Sequence, residues 1–441
     1  MPEFQKPFSK KEFDRNFSQI KPFLNETQAY YESARCLFCF DAPCVQACPT
    51  HIDIPLFIRQ IHSGNTIGAA ETIYNANYLG HACGQVCPTE VLCEGACVYN
   101  HQNIKPIEIG RLQSFATTKA ITQNKKLFKT GRPNGKKIAV IGAGPAGISC
   151  ACELRMLGHE VEVFEARTKP SGLTLYGVAP YKITNKEALD EVKYLQEQFE
   201  FKIKYRAPIH TQKDLEKLEK NYDAVFIGIG LGETSELNIP GETLRNCIGA
   251  TEFIEELRIK QHEVKVGKKV IVLGGGNTAM DAASESARMG AEKVILSYRR
   301  SKEAMKAYDF EFELAKKVGV KGIFNVAPVR IIGKQKVEGV KFIRTQTKKG
   351  KLETVKGSEF IETCDMVIKA TGQAKQVTFF SHIHGLELDD SGRIIVNKFF
   401  QTKNPNYFAA GDAANGGKEV VNAAAEGKAA ARGIHRFLLG K

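Results

Sequence analysis

Nowhere in the 441 residues do eighteen apolar residues run together, so no membrane-spanning helix is expected. The opening stretch MPEFQKPFSKKEFDRNF is charged and has no apolar centre, which speaks against a secretory signal and for a cytoplasmic protein. There is no H-E-x-x-H pair, and the ten histidines are scattered. No cysteine falls into a nucleophile-plus-base pattern. Basic residues outnumber acidic ones, 62 to 49, for a net charge of +13. Yet no basic stripe interleaves with aromatics. Nucleic acid and membrane are therefore not expected partners. The charge reads as a solvated surface that also steers polyanionic cofactors or an acidic partner subunit.

What the chain does have is cysteine in one place. Eight of its twelve cysteines lie between Cys36 and Cys97. They form two runs: Cys36, Cys39, Cys44 and Cys48, then Cys83, Cys87, Cys93 and Cys97. In a cytosolic protein such clusters are metal ligands rather than disulfides. Thiolate tetrads hold zinc or iron–sulfur clusters, and the spacing admits both. Each run carries a Cys-Pro step, at Pro49 and Pro88, where proline stiffens the backbone beside a ligand. These steps, together with the nucleotide motifs below, favour redox clusters. A zinc-stabilised scaffold without redox turnover is the alternative from another class. Cys150 and Cys152 read as packing residues, and Cys247 and Cys364 stand alone.

Apolar residues at helical spacing between the runs, Leu56, Ile58 and Ile61 and then Ala69 and Ile73, predict two short helices broken at Ser63-Gly64. A helical cluster domain over 1–130 follows, extended by IEIGRLQSFATTKAI. The polar TQNKKLFKTGRPNGKK reads as a linker.

The pattern then changes to strand, glycine turn, helix, strand. Gly142, Gly144 and Gly147 complete G-x-G-x-x-G directly after the apolar strand 138–141, with Pro145 and Ala146 opening the helix. The first glycine permits the tight turn, the second lets backbone approach a pyrophosphate, and the third lets helix pack on strand. Helix-terminal amides face the phosphates, and Glu165 ends the next strand where a carboxylate suits a free ribose. A second copy carries Gly274, Gly276, Asn277, Thr278 and Ala279. Its second strand ends in Arg299 and Arg300, residues that accommodate a 2′-phosphate and so favour NADPH over NADH. Two unlike nucleotide folds imply one for FAD and one for NAD(P)H. Gly411-Asp412, at a strand end before a helix, is placed for a flavin ribityl hydroxyl. Gly230 and Gly372 end the two strands where the chain crosses between the nucleotide folds. The expected architecture is a helical iron–sulfur domain followed by two α/β Rossmann-like domains, the second inserted in the first: FAD over 131–247 and 373–441, NAD(P)H over 248–372.

ARCLFCFDAPCVQACPTHIDIPLFI, LGHACGQVCPTEVLCEGAC and IGRLQSFAT, with the two glycine motifs, resemble the glutamate synthase small-subunit superfamily over nearly the whole chain. The branch they are most similar to is the electron-input part of dihydropyrimidine dehydrogenase and its separate bacterial subunit. The resemblance implies two 4Fe-4S clusters with interleaved ligands: Cys36, Cys39, Cys44 and Cys97 for one; Cys48, Cys87, Cys93 and Gln113 for the other. Spacing alone would name Cys83 as the eighth ligand, and the bland reading of Gln113 is a helix-surface glutamine. The resemblance also places the flavin-contacting loop at GLTLYGVAPYKIT, with Gly172, Leu173 and Lys182 as contacts; Ser171 stands where the family has glycine. It implies electron flow from NAD(P)H through FAD and the clusters to an FMN-barrel partner subunit that reduces uracil or thymine to the 5,6-dihydro form. The other reaction on the same wire is that of a glutamate synthase small subunit or a transhydrogenase-like relative.

Overall fold

The computed structural model describes residues 3–440. They form two compact units. One comprises residues 20–175, 182–231 and those from Lys375 onward; the other comprises residues up to Gln19, 176–181 and 232–374.

The first unit opens with helices Glu26–Ala34, Ile54–His62, Thr66–Ala76, Gly80–Val86 and Ile109–Thr122. Their starts are set locally. Asn25 and Gln28 form a reciprocal cap, Asp53 accepts from Leu56 N at 3.1 Å, and Asn65 accepts from Gly68 N at 3.0 Å. The break at Ser63-Gly64 falls where the periodicity expects it, with Gly64 at φ +84°. One detail differs. Phe57, Ile58 and Ile61 face inward, whereas Leu56 is exposed. The inward stripe begins one residue later because the helix starts at Ile54, itself buried.

These helices share one hydrophobic core with the sheet that follows: Ile58, Ile73 and Leu112 belong to the same cluster as Ile138, Ile148 and Phe199. The polar stretch before the sheet is not a loose tether. Phe128 is buried and stacks on Phe199 at 5.0 Å, and Gln198 takes the amides of Leu127 and Phe128. One aromatic residue outweighs the surrounding lysines because burying it removes a large apolar area from water.

The sheet is parallel, with strands in the order Tyr407–Ala409, Ala224–Ile227, Lys137–Ile141, Glu160–Phe164 and Lys202–Lys204. Its central strands are nearly continuous apolar runs, as a sheet covered on both faces requires. Helix Pro145–Met156 packs against the 20-residue helix Val420–Leu439. Gly427 makes this close approach possible: a Cβ there would lie 2.1 Å from Ala146 O.

In the second unit, five parallel strands run in the order Cys247–Gly249, Met366–Lys369, Lys269–Leu273, Lys293–Tyr298 and Lys321–Phe324. An antiparallel sheet of Val326–Ile332, Gly339–Lys348, Lys351–Thr354 and Phe360–Thr363 completes it. The N-terminal arm packs on this unit. Asn16 Nδ2 donates to Arg288 O at 2.7 Å, and the Arg288 guanidinium lies over the Phe4 ring. The expected helical domain over 1–130 includes the arm, but helical amphipathicity does not say which core a helix covers, and the arm belongs to the second unit.

The glycine turn after strand Lys137–Ile141 is sterically closed at two of its three positions. Gly142 sits at φ +98°, and a Cβ on Gly147 would lie 1.9 Å from Gly142 O. Gly147→Ala is therefore expected to cost more than about 3 kcal/mol. Denaturant unfolding of the purified protein, with flavin content measured alongside, checks this.

Candidate functional site

The eight cysteines are brought round two cavities, and the grouping does not follow the two runs. Cys36, Cys39, Cys44 and Cys97 line the first, together with Ile54, Ile58 and Tyr99. Cys48, Cys83, Cys87, Cys93 and Gln113 line the second, with Ile52, Ile54 and Val421. Thus Cys97 leaves its own run for the first cavity, and Cys48 does the reverse. The local cause is turn chemistry. Helix Pro43–Ala47 ends at Cys48, whose extended backbone turns the chain away from Cys44. Cys97 likewise ends one turn and caps the next, 3₁₀ in form, at Val98–Gln102. The thiols of the first cavity are half-buried, while Cys48 and Cys83 in the second are buried.

Both Gln113 and Cys83 reach the second cavity. Gln113, on the long helix Ile109–Thr122, donates its amide nitrogen to Gly80 O at 2.6 Å, so its carbonyl oxygen is the atom suited to a metal. It is buried, not a surface glutamine. Cys83 is also buried and is hydrogen-bonded to Cys87, which, with burial, holds the Cys87 thiol well above its usual range. Burial pushes Cys44 up to about 12, and the neighbouring Cys36 and Cys97 add to it. Burial likewise raises Cys36 and Cys93. Sulfurs kept from ionising in this way need a cationic centre to become ligands. Among the described residues no three His, Cys, Asp or Glu side chains converge on a single ion site. The sulfurs line cavities instead, and as soft donors they suit iron–sulfur chemistry.

The nucleotide loops show what a pyrophosphate would need. At the middle glycine of each motif, Gly144 and Gly276, an added Cβ meets nothing closer than 3.8 Å and nothing within 4 Å, respectively. The first glycines are closed: a Cβ on Gly142 would lie 2.5 Å from Gly228 O, and one on Gly274 would lie 2.3 Å from Ala370 O. Open middle positions at helix starts leave room for phosphate oxygens to meet backbone amides. Pro145 and Ala146 begin the first helix; Asn277, exposed Thr278 and buried Ala279 begin the second. Gly172, at φ +51°, approaches Gly144 so closely that a Cβ would lie 2.9 Å from its Cα, and Leu173 starts the next short helix. Ser171 holds φ +85° in the same turn, a left-handed conformation that glycine adopts with less strain.

Glu165 is buried, and its two oxygens accept from Ala143 N at 2.9 Å and Arg167 N at 2.8 Å. The acid is thereby locked at the end of its strand with lone pairs remaining. Asp412 follows Gly411, which sits at φ +68°; burial raises its carboxyl, and Lys418 N donates to it. Gly230 and Gly372 both have positive φ and open space beside them. Lys182 is half-buried just before the Thr184 cap. In the second unit, Arg299 is exposed and Arg300 half-buried at the end of their strand. Their carbonyls are pinned by Thr345 Oγ1 at 2.7 Å and Asn325 N at 3.0 Å.

A buried polar joint that sequence reading did not name ties the cluster helices to the first sheet's helices. Glu191 is 1 % exposed. It accepts from His81 N at 2.6 Å, Ala82 N at 3.0 Å and the Tyr74 hydroxyl at 3.4 Å. Burial raises its carboxyl to about 8, opposed by the two amides. Nearby, Glu153 takes the Tyr78 hydroxyl at 2.6 Å and Arg432 Nε at 2.7 Å. A signal for Glu191 was present: it occupies the apolar phase of helix Asn185–Phe199 beside Ala188, Val192 and Leu195.

The family model for pyridine nucleotide-disulphide oxidoreductase matches residues 136–427, and that for dihydropyrimidine dehydrogenase domain II, 4Fe-4S cluster, matches residues 13–125. The glutamate synthase [NADPH] small chain of Escherichia coli K12 is 35% identical over 96% of this chain and 94% of its own. The chain belongs to the glutamate synthase small-chain superfamily. The NAD-dependent dihydropyrimidine dehydrogenase subunit PreT of the same organism is 32% identical, over 96% of this chain and 97% of its own. Among solved structures, Mycobacterium tuberculosis FprA in complex with NADPH shares the fold at TM-score 0.58 and 21% identity, covering 70% of this chain and 85% of that one. The protein is thus a flavin- and iron–sulfur-dependent NAD(P) oxidoreductase of this superfamily. No helix among the described residues is long and apolar enough to cross a membrane.

The raised Glu191 carboxyl gives a pH signature. The native state binds this proton more tightly than the unfolded chain, whose carboxyl has the ordinary value of 4.5. Its stabilising contribution is therefore complete below about 4.5 and is lost as pH rises through about 8. Glu191→Gln is expected to flatten that slope, read as unfolding free energy against pH. The two nucleotide loops give a second test. Gly276→Ala, with no steric obstacle in the fold, is expected to keep the melting temperature while weakening NAD(P)H binding by about tenfold or more, measured by fluorescence titration.

Proposed function

We propose that this chain is the electron-input subunit of a multi-subunit reductase, oxidising NAD(P)H and delivering the electrons to a partner subunit that carries the substrate chemistry. The cofactors supply the hard step: a flavin takes hydride as an electron pair, and iron–sulfur clusters pass electrons on singly. The chain's own residues bind, space and shield them.

The observation that carries this reading is the pair of cysteine-lined cavities with Ile54 in the wall of both. It supports two clusters side by side: one on Cys36, Cys39, Cys44 and Cys97; the other on Cys48, Cys87, Cys93 and Gln113, with Cys83 a buried neighbour. Val421, from the helix that follows Gly411-Asp412, lines the second cavity and supports a flavin on that side. FAD is then held by Gly142, Gly144, Gly147, Glu165, Gly172 and Asp412. NADPH is held by Gly274, Gly276 and the two arginines. The order of strands in the two parallel sheets supports reading 248–372 as a domain inserted between 131–247 and 373–441, because strand Tyr407–Ala409 joins the first sheet.

For the partner, we infer an FMN-barrel subunit that reduces uracil or thymine to the 5,6-dihydro form. The match of residues 13–125 to the dihydropyrimidine dehydrogenase cluster domain favours it, as does Gln113 at the second cavity. A glutamate synthase large chain is the second reading, favoured by the 35% identity to that enzyme's small chain. Isolation of the native complex decides between them: pyrimidine-dependent NAD(P)H oxidation supports the first, and glutamine- and 2-oxoglutarate-dependent oxidation the second.

Iron and acid-labile sulfide should be found in amounts fitting two clusters, with separate EPR signals after reduction. Gln113→Ala should abolish one signal and leave the other, whereas Cys83→Ser should retain both. The reverse outcome makes Cys83 the ligand. Replacing Arg299 and Arg300 by alanine should raise KM for NADPH about tenfold or more and leave that for NADH nearly unchanged, since only the former has a 2′-phosphate to lose.

A further inference from the structure

The two cavities differ in how they meet solvent. Gln113, Cys48 and Cys83 in the second are buried, and Val421 closes its wall from the helix after Gly411-Asp412. All four cysteines of the first are half-buried, as are Cys87 and Cys93 of the second, but the first holds no buried cysteine and no residue after Ile109 contributes to its lining. Ile54 stands between the two. Electron tunnelling falls exponentially with distance, so the first cavity is where a foreign acceptor gains the shortest approach.

The surface over that cavity is built in an unusual way. In the loop Cys36-Leu37-Phe38-Cys39-Phe40, Phe38 adopts φ +51°, a strained conformation for an aromatic residue. Its ring turns under the Arg59 guanidinium, 4.9 Å from the centroid. Leu37 and Phe40 are left facing water at 56% and 100% exposure, and so is Leu56 at 41%, one helical turn before Arg59 on Ile54–His62. Large apolar side chains held outward on a pinned loop, above a redox site, are unlike scattered surface hydrophobics. The charge pattern agrees. From 36 to 62 the only Lys, Arg, Asp or Glu residues are Asp41, Asp53 and Arg59, in a chain whose net charge is +13. This face suits a partner with an apolar, weakly charged contact surface, not one gathered by charge.

We propose that Leu37, Phe40 and Leu56 form the docking face for an electron-accepting protein subunit, which thereby brings its own iron–sulfur or flavin group against the Cys36, Cys39, Cys44 and Cys97 site. This deepens the electron-input reading above and rests on it. Each NAD(P)H oxidised to NAD(P)+ releases a proton and two electrons; the electrons cross this face in two single transfers and reduce the partner's group.

The test uses the holoprotein and the flavin- or iron–sulfur-bearing subunit that purifies with it. Phe40→Asp combined with Leu56→Asp changes residues outside both cavity linings. The expected result is an unchanged EPR spectrum and unchanged NAD(P)H-dependent ferricyanide reduction, with affinity for the subunit and its rate of reduction each lowered about tenfold or more. In the native complex, amides of 37–41 should gain protection from hydrogen exchange, and the complex should persist at high salt. The proposal is overturned if the double variant binds and reduces the subunit normally, if protection appears elsewhere, if salt dissolves the complex, or if the face joins two copies of this chain. It is also overturned if no redox-bearing subunit associates. Failure of the underlying reading looks different: the wild-type chain would then hold no iron and sulfide, or would not oxidise NAD(P)H with ferricyanide.

Discussion

The buried contact between Glu191 and the amides of His81 and Ala82 is the constraint on which much of the first unit depends. Helix Gly80–Val86 is too short to hold itself, having seven residues and several terminal donors without helical partners. An acid from another helix supplies acceptors for two of them. The helix then runs to Cys83 and on to Cys87, so its position sets one wall of the second cavity. A buried acid is an expensive anchor, and here no cation neutralises it directly; burial instead keeps its proton on to about pH 8. What it brings is geometric definition where a slight shift would open the cavity.

Around that joint, apolar packing and polar pairing work together. Tyr78 illustrates this: its ring packs edge-on to Phe199 at 5.1 Å while its hydroxyl reaches Glu153. Lys428, above the same ring at 4.6 Å, and Arg432 balance the Glu153 charge. Since the cluster helices share a hydrophobic core with the first sheet, the cysteine sites cannot move independently of the glycine turn at Gly142. Electron transfer between bound groups needs such fixed spacing more than it needs acid–base groups. Apart from the cysteines and Tyr99, none of the described residues lining the cavities is titratable, which fits that need.

The two nucleotide loops show division of labour among glycines. The first position of both loops and the third of the first loop are closed by the protein itself, and the middle one is left open. Ala279 replaces the third glycine in the second loop without disturbing the fold. The motif is therefore partly a packing rule and partly a ligand rule, and the separation between them can be read residue by residue.

Much of this was legible in the chain. Alternating apolar strands and glycine turns mark both parallel sheets because local backbone geometry and burial write directly into sequence. The helix break at Ser63-Gly64 and the caps at Asn25 and Asn65 are local too. The clustering of eight cysteines announced a metal-binding region, but not which sulfur faces which cavity. That depends on how turns at Cys48 and Cys97 aim the chain, and spacing alone grouped them by run. Gln113 gives no periodic signal, and its burial appears only when its helix is seated. Phe128, Glu191 and the N-terminal arm likewise take their roles from partners 60 or more residues away, such as Phe199, His81 and Arg288. The sequence by itself determined the elements and the chemistry they carry. Only tertiary structure decided which groups share a cavity, because that rests on the packing of side chains distant along the chain.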